Sequence, residues 1–319
     1  MPTHTIIIAH DIHNNYKQQI KELVPNWDVI IGKEQSHWEN HLKNAEVILG
    51  WKSEMRNQLH QLSCLKWLQT WSAGVNNLPL KHFEDKDLII TSANGVHANP
   101  ISETIFGLML SLTRKINTYV LQQKQKQWHH ANMNLEIHGK TIGIIGVGEI
   151  GKETAKIAKA FGMKVVGMRH SGKPEANVDE MYTPNQLDQL LPKCDYVVVT
   201  LPLTTNTVEM FKAKQFQMMK PSAFFINIGR GEIVNEPDLI NALQEGTIAG
   251  AGLDVFEQEP LPVSSPLWEF ENVIITPHTS GSTEHYTKRV IEDIFIPNLK
   301  MYVGGNTPTI NLVDYNKGY

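Results

Sequence analysis

The segment TIGIIGVGEIG, residues 141–151, limits the possible folds of this chain more than any other. An apolar run leads into Gly146, Gly148 and Gly151 in the G-x-G-x-x-G spacing, and Glu149 and Ile150 begin a helix-forming stretch. That order predicts a strand, a tight turn and a helix N-terminus in immediate succession. The first glycine makes the turn, the second lets backbone N–H groups approach a pyrophosphate, and the third lets the helix pack on the strand. Gly146, Gly148, Glu149, Ile150 and Gly151 are therefore candidate cofactor-binding residues.

Strand–helix alternation extends in both directions from this loop. Downstream of Lys140, the runs TIGIIG, KVVGM, CDYVVVT, SAFFINI, AGAGLDV and NVIITP alternate with helix-like stretches, which predicts a Rossmann-type, doubly wound parallel sheet. Upstream, TIIIA, DVIIG, AEVILG, LKWLQTWS and LIITS predict a smaller α/β domain. Between them, ANPISETIFGLMLSLTRKINTYVLQQKQKQ reads as one long helix, with Asn99 as its cap and Pro100 at the first helical position. A last helix from Glu284 is expected to return to the first domain. The predicted division is residues 1–97 with 285–319 as a substrate-binding domain, residues 98–284 as the dinucleotide-binding domain, and a cleft between them. At 319 residues the chain is too long for one ordinary core.

Composition removes several function classes. A net charge of -4 without a Lys/Arg stripe argues against a nucleic-acid partner. Apolar runs are too short to span a bilayer, and the N-terminal THTIIIA reads as a first strand, not as a secretory segment. Cys64 and Cys194 build no disulfide framework; they are expected to be small buried residues of a cytoplasmic protein. His37 and His41 in HWENH lack a third ligand and read as a solvated helix face, so no metal site is expected.

The strand after the glycine loop ends in VVGMRHSGK. A dinucleotide fold that takes NAD places an acid near this point to accept ribose hydroxyls; here the residue is Arg169. A guanidinium suits a 2'-phosphate, and His170, Ser171 and Lys173 add donors or charge beside it. The expected cofactor is NADP(H), with NAD as the alternative. The plain alternative for the loop is a solvated basic turn.

Three stretches fall at or just past strand ends of the second sheet: FINIGRGEIVNE with Arg230, GLDVFEQEPLP with Glu259, and IITPHTSGST with His278. A fixed cation, an anion and a titratable imidazole beside a nicotinamide are what reduction of a 2-oxo acid requires. Arg230 binds the substrate carboxylate and polarises the ketone, His278 delivers a proton, and Glu259 orients the ring. Singly, each also reads as structural: a helix-entry cation, a loop acid before Pro260, and a satisfied buried imidazole.

GIIGVGEIG, NIGRGEIVNE, GLDVFEQEP and TPHTSG together resemble the D-isomer-specific 2-hydroxyacid dehydrogenase family, in the family's order and over most of the chain. The resemblance implies a flavodoxin-like first domain and an active site of Arg230, Glu259 and His278. It places Asp254 near the nicotinamide carboxamide and Thr207 of TLPLTTNT at a phosphate. WSAGVNNLP resembles the loop whose amides hold the substrate carboxylate, here Ala73, Gly74 and Val75. It also implies a homodimer through an arm at residues 120–140. Trp128 lies on that arm, where some glyoxylate and hydroxypyruvate reductases carry a tryptophan that reaches the partner's active site. Arg169 resembles the NADPH-dependent branch. The expected substrate is a small 2-oxo or 2-hydroxy acid. A phosphoglycerate dehydrogenase-like enzyme and a non-enzymatic cofactor-sensing protein are the alternatives.

Overall fold

The computed structural model describes residues 4–75 and 77–315. The chain forms two compact units, one running up to Val96 and resuming at Thr283, the other His97–Ser282.

In the first unit, β1 (Thr5–Ile8), β2 (Asp28–Ile31), β3 (Val47–Leu49), β4 (Trp67–Gln69) and β5 (Ile89–Thr91) form a sheet in the order β2-β1-β3-β4-β5. All pairings are parallel, and this is the flavodoxin order. Successive residues face opposite cores. Ile6, Ile8, Val47 and Leu49 pack with Val290, Ile294 and Phe295, whereas Ile7, Ile48, Leu68 and Ile90 pack with Trp38, Leu42 and Phe83. Burial on both faces is why these strands read as unbroken β-branched runs instead of alternating ones. The C-terminal helical stretch contains a π-helical segment, Arg289–Phe295, ahead of the helix Ile296–Val303. Pro297 follows at once; it lacks an N–H and would crowd the carbonyl one turn back, and the widened turn accommodates it.

The second unit carries β6 (Thr141–Ile145), β7 (Lys164–Met168), β8 (Glu180–Tyr182), β9 (Tyr196–Val199), β10 (Phe224–Asn227), β11 (Gly250–Leu253) and β12 (Val273–Ile275). They run parallel in the order β12-β11-β10-β9-β6-β7-β8, so the winding reverses between β6 and β9. Ligands of doubly wound sheets sit beyond the carboxyl ends of the strands at such a reversal. Ile142, Ile144, Val198, Phe224 and Ile226 pack under Ile105, Leu108 and Met109. Val197, Val199 and Phe225 pack against Phe211, Phe216 and Leu239 on the opposite face.

Three local expectations are corrected. The long helix is two helices, Ala98–Thr113 and Ile116–Lys124, separated at Lys115, whose φ is +56°. The first helix buries a broad apolar face, but the second buries no residue, so no core packing holds it in line. Asn99 is not the cap: it and Pro100 lie inside the first turn, after His97. Cys64 is exposed; only Cys194 is buried, and burial pushes its thiol up to about 12. The short β8 had no signal in the apolar pattern, because Glu180 and Met181 are only half-buried. Among the described residues no helix is long and apolar enough to cross a membrane, and no group of His, Cys, Asp or Glu is placed to hold a metal ion.

Candidate active site

The glycine loop follows β6. Gly146 has φ +114°, and a Cβ there would lie 2.9 Å from Thr200 Oγ1, whose hydroxyl donates to the Gly146 carbonyl at 2.6 Å. A Cβ on Gly151 would lie 2.5 Å from that same carbonyl, so helix and turn pack backbone to backbone. Gly148 is different: nothing lies within 4 Å of where its Cβ would be. It is the N-cap of the helix Glu149–Ala160 and makes no side-chain cap. The N–H groups of Glu149, Ile150 and Gly151 therefore open the helix without intrahelical acceptors, over an unfilled approach. That cradle fits a dinucleotide pyrophosphate. The Glu149 carboxylate turns to Lys152, 2.8 Å away.

Arg169 stands immediately past β7, and its guanidinium is bound into its own loop. Nε donates to the Lys173 carbonyl, Nη2 to the Pro174 carbonyl and Nη1 to the Glu175 carboxylate, each at 3.0 Å. Two of the five N–H groups of an arginine remain for anything else. His170, Ser171 and Lys173 are exposed on the same turn, which closes through Gly172 N–H to the Arg169 carbonyl.

Beyond the strands a backbone ladder continues: Thr200 N–H to Ile145, Ile228 N–H to Val199, Asp254 N–H to Asn227 and Thr276 N–H to Leu253. It fixes the starts of the loops carrying Arg230, Glu259 and His278. Gly231 seats Arg230 against the next loop, since a Cβ there would meet the Phe256 carbonyl carbon at 1.9 Å. Arg230 itself is exposed, and its Nη1 donates to the Gly229 carbonyl at 2.6 Å. Glu259 Oε1 accepts the Phe256 N–H at 3.1 Å, and Oε2 lies 2.7 Å from His278 Nδ1. With a carboxylate on one side, Nδ1 carries the hydrogen and Nε2 is left for the site. His278 takes φ +51°, its N–H donating to the Asp254 carbonyl at 2.9 Å.

Asp254 is fully buried, and both its oxygens are taken. Oδ1 accepts from Thr276 Oγ1 at 2.6 Å and from Thr279 N–H at 3.0 Å, and Oδ2 from Ser280 N–H at 3.1 Å. These bonds make it the anchor of the histidine loop. Thr207 shapes its own loop: its hydroxyl donates to the Pro202 carbonyl and accepts from Thr204 N–H, both at 2.8 Å. The sequence pattern does not show these anchoring bonds, because their partners, backbone groups and the Thr276 hydroxyl, come together only in the fold.

In the first unit, Ala73, Gly74 and Val75 follow β4. A buried chain, Trp67 Nε1 to Thr91 Oγ1 and Thr91 Oγ1 to Gln69 Oε1, fixes the strand end. Thr70 Oγ1 then bonds the Ser72 carbonyl, and Ser72 Oγ the Gly74 carbonyl. Among the described residues the amides of Ala73, Gly74 and Val75 have no acceptor. The structure adds residues the sequence had not singled out at this same edge. His10, just past β1, stacks on Trp71 at 4.1 Å, and burial, with the Lys52 charge, holds its imidazole down at about 4. Lys52, past β3, is half-buried, and burial, then Lys33, lowers its ammonium below the ordinary range. The only sequence signal for them is position: each follows a strand on the carboxyl edge.

An open glycine loop at the reversal of such a sheet belongs to proteins that handle dinucleotides, and a histidine held by a carboxylate beside it belongs to those that move a proton with a hydride. The family model for the NAD-binding domain of D-isomer-specific 2-hydroxyacid dehydrogenases matches residues 106–280. A glyoxylate/hydroxypyruvate reductase B of Salmonella schwarzengrund is 36% identical over 264 residues, covering 80% of this chain and 81% of that protein. A family structure from Aeromonas salmonicida subsp. salmonicida is 34% identical with a TM-score of 0.83, over 98% of this chain and 99% of that one. Another, from Xanthobacter autotrophicus in complex with NADPH and MES, is 28% identical with a TM-score of 0.82, over 99% of this chain and 100% of that one. The chain belongs to the D-isomer-specific 2-hydroxyacid dehydrogenases, a family of nicotinamide-dependent oxidoreductases.

Proposed function

We propose that this protein reduces small 2-oxo acids, glyoxylate and hydroxypyruvate first among them, to D-2-hydroxy acids with NADPH. The observation that carries this is the Glu259–His278 pair at 2.7 Å on the loops beyond the dinucleotide sheet. Arg230 binds the substrate carboxylate and polarises the ketone. His278 Nε2 gives its proton to the carbonyl oxygen as that oxygen gains charge, while Glu259 keeps the ring oriented. Bound NADPH supplies the hydride. The glycine loop, with Gly146, Gly148, Glu149, Ile150 and Gly151, holds the pyrophosphate. Arg169, His170, Ser171 and Lys173 receive the ribose 2'-phosphate. The reductase relative and the NADPH-bound neighbour support this choice.

A second substrate class is favoured by Lys52. Its half-buried ammonium has no carboxylate within 4 Å among the described residues, and a 2-oxo acid with a second anion, such as 3-phosphohydroxypyruvate, would supply one. We also place the protein in the cytoplasm, where the exposed thiol of Cys64 stays reduced, and as a homodimer through the arm at 120–140.

Initial rates of NADPH and NADH oxidation against glyoxylate, hydroxypyruvate, pyruvate and 3-phosphohydroxypyruvate test the proposal. Turnover of a small 2-oxo acid, at least about ten-fold more efficient with NADPH, is expected. Absence of turnover with intact cofactor binding would refute it.

A further inference from the structure

We propose that Glu175 is a determinant of cofactor choice: its carboxylate, seated against Arg169, opposes the 2'-phosphate of NADP(H) and moderates the preference that Arg169 confers. This rests on the cofactor reading of Arg169 given above. In this chain the acid expected at the end of the second strand is missing, and Glu175 brings a carboxylate back to the same guanidinium from the far side of the turn. Its Oε2 lies 3.0 Å from Arg169 Nη1 and 3.8 Å from Lys152 Nζ, while Oε1 accepts the Ala176 N–H at 3.1 Å. Lys152 also contacts Glu149 Oε1, at 2.8 Å. Arg169 and Lys152 are thus each balanced by carboxylates, and of the cations on this turn only Lys173 has no carboxylate within 4 Å among the described residues.

The geometry separates charge from position. Arg169 is held by two backbone carbonyls, those of Lys173 and Pro174, whatever the state of residue 175. Removing the Glu175 charge therefore leaves the guanidinium where it is while making the turn more positive. The Ala176 N–H, together with the Arg169 and Lys152 charges, holds the Glu175 carboxyl below its usual range, so the opposing charge is present at neutral pH. A phosphate entering this turn meets an anion of its own sign beside its principal partner. A ribose hydroxyl meets an acceptor instead.

The test is Glu175→Gln, read by calorimetric binding of adenosine 2',5'-bisphosphate and of 5'-AMP to the full chain, and by the NADPH-to-NADH ratio of kcat/KM. The bisphosphate is expected to bind about three- to ten-fold more tightly, the effect of one partly screened charge, with 5'-AMP unchanged and the ratio rising through KM for NADPH. Unchanged or weaker bisphosphate binding would overturn the proposal and make Glu175 a clamp for Arg169. A wild-type protein that binds both probes equally, and loses nothing in Arg169→Ala, would overturn the cofactor reading beneath it, a pattern distinct from the first.

Discussion

His278 sits at φ +51°, in a region that a non-glycine residue occupies only when its surroundings impose it. The buried Asp254 carboxylate does so, by gathering the hydroxyl of Thr276 and the amides of Thr279 and Ser280. The ring is then delivered to Glu259. His278→Ala is expected to lower kcat by about a hundred- to ten-thousand-fold, the usual contribution of a positioned general acid. NADPH affinity, read by fluorescence titration, should be unchanged. Glu259→Gln retains an acceptor but not the charge, so it should reduce kcat without weakening NADPH binding; an unaltered kcat would remove Glu259 from its role. At this scale the pairing of Glu259 with His278 was legible because each is a chemically distinctive type just after an apolar strand. The loop-anchoring bonds of Asp254 and Thr207 were not, since sequence alone does not show which neighbouring groups a carboxylate or hydroxyl meets in the fold.

At the scale of elements, strands buried on both faces announce themselves, and most were legible; β8 and the break at Lys115 were not. Lys115 lies between two stretches that both have good helix formers, and only the lack of buried residues in Ile116–Lys124 explains why the first helix is not continued. The same stretch leads into residues 127–136, which form no helix or strand. Ile116, Val120, Leu121 and Leu135 are exposed there and Trp128 completely so. Large apolar side chains exposed along one stretch support the arm proposed as the dimer interface. Under the proposed homodimer, Trp128→Ser is expected to give a predominantly monomeric species in sedimentation velocity, with its circular dichroism preserved. A dimer of unchanged strength would place the interface elsewhere.

Over the whole molecule, one short glycine motif stands at the reversal of the seven-stranded sheet, and the five-stranded sheet presents amides without acceptors among the described residues at its own carboxyl edge. Both edges were legible as strand ends, while the half-buried Lys52 and the neutral His10 on the smaller one emerge only from burial. The central claim is that a hydride passes to the carbonyl carbon of a 2-oxo acid as His278 protonates its oxygen. The most direct measurement is a single turnover of hydroxypyruvate with NADPH deuterated at both positions of nicotinamide carbon 4, followed by mass and chiral analysis of the product. D-glycerate bearing one deuterium on carbon 2 is predicted; L-glycerate, or product without deuterium at that carbon, would contradict the account.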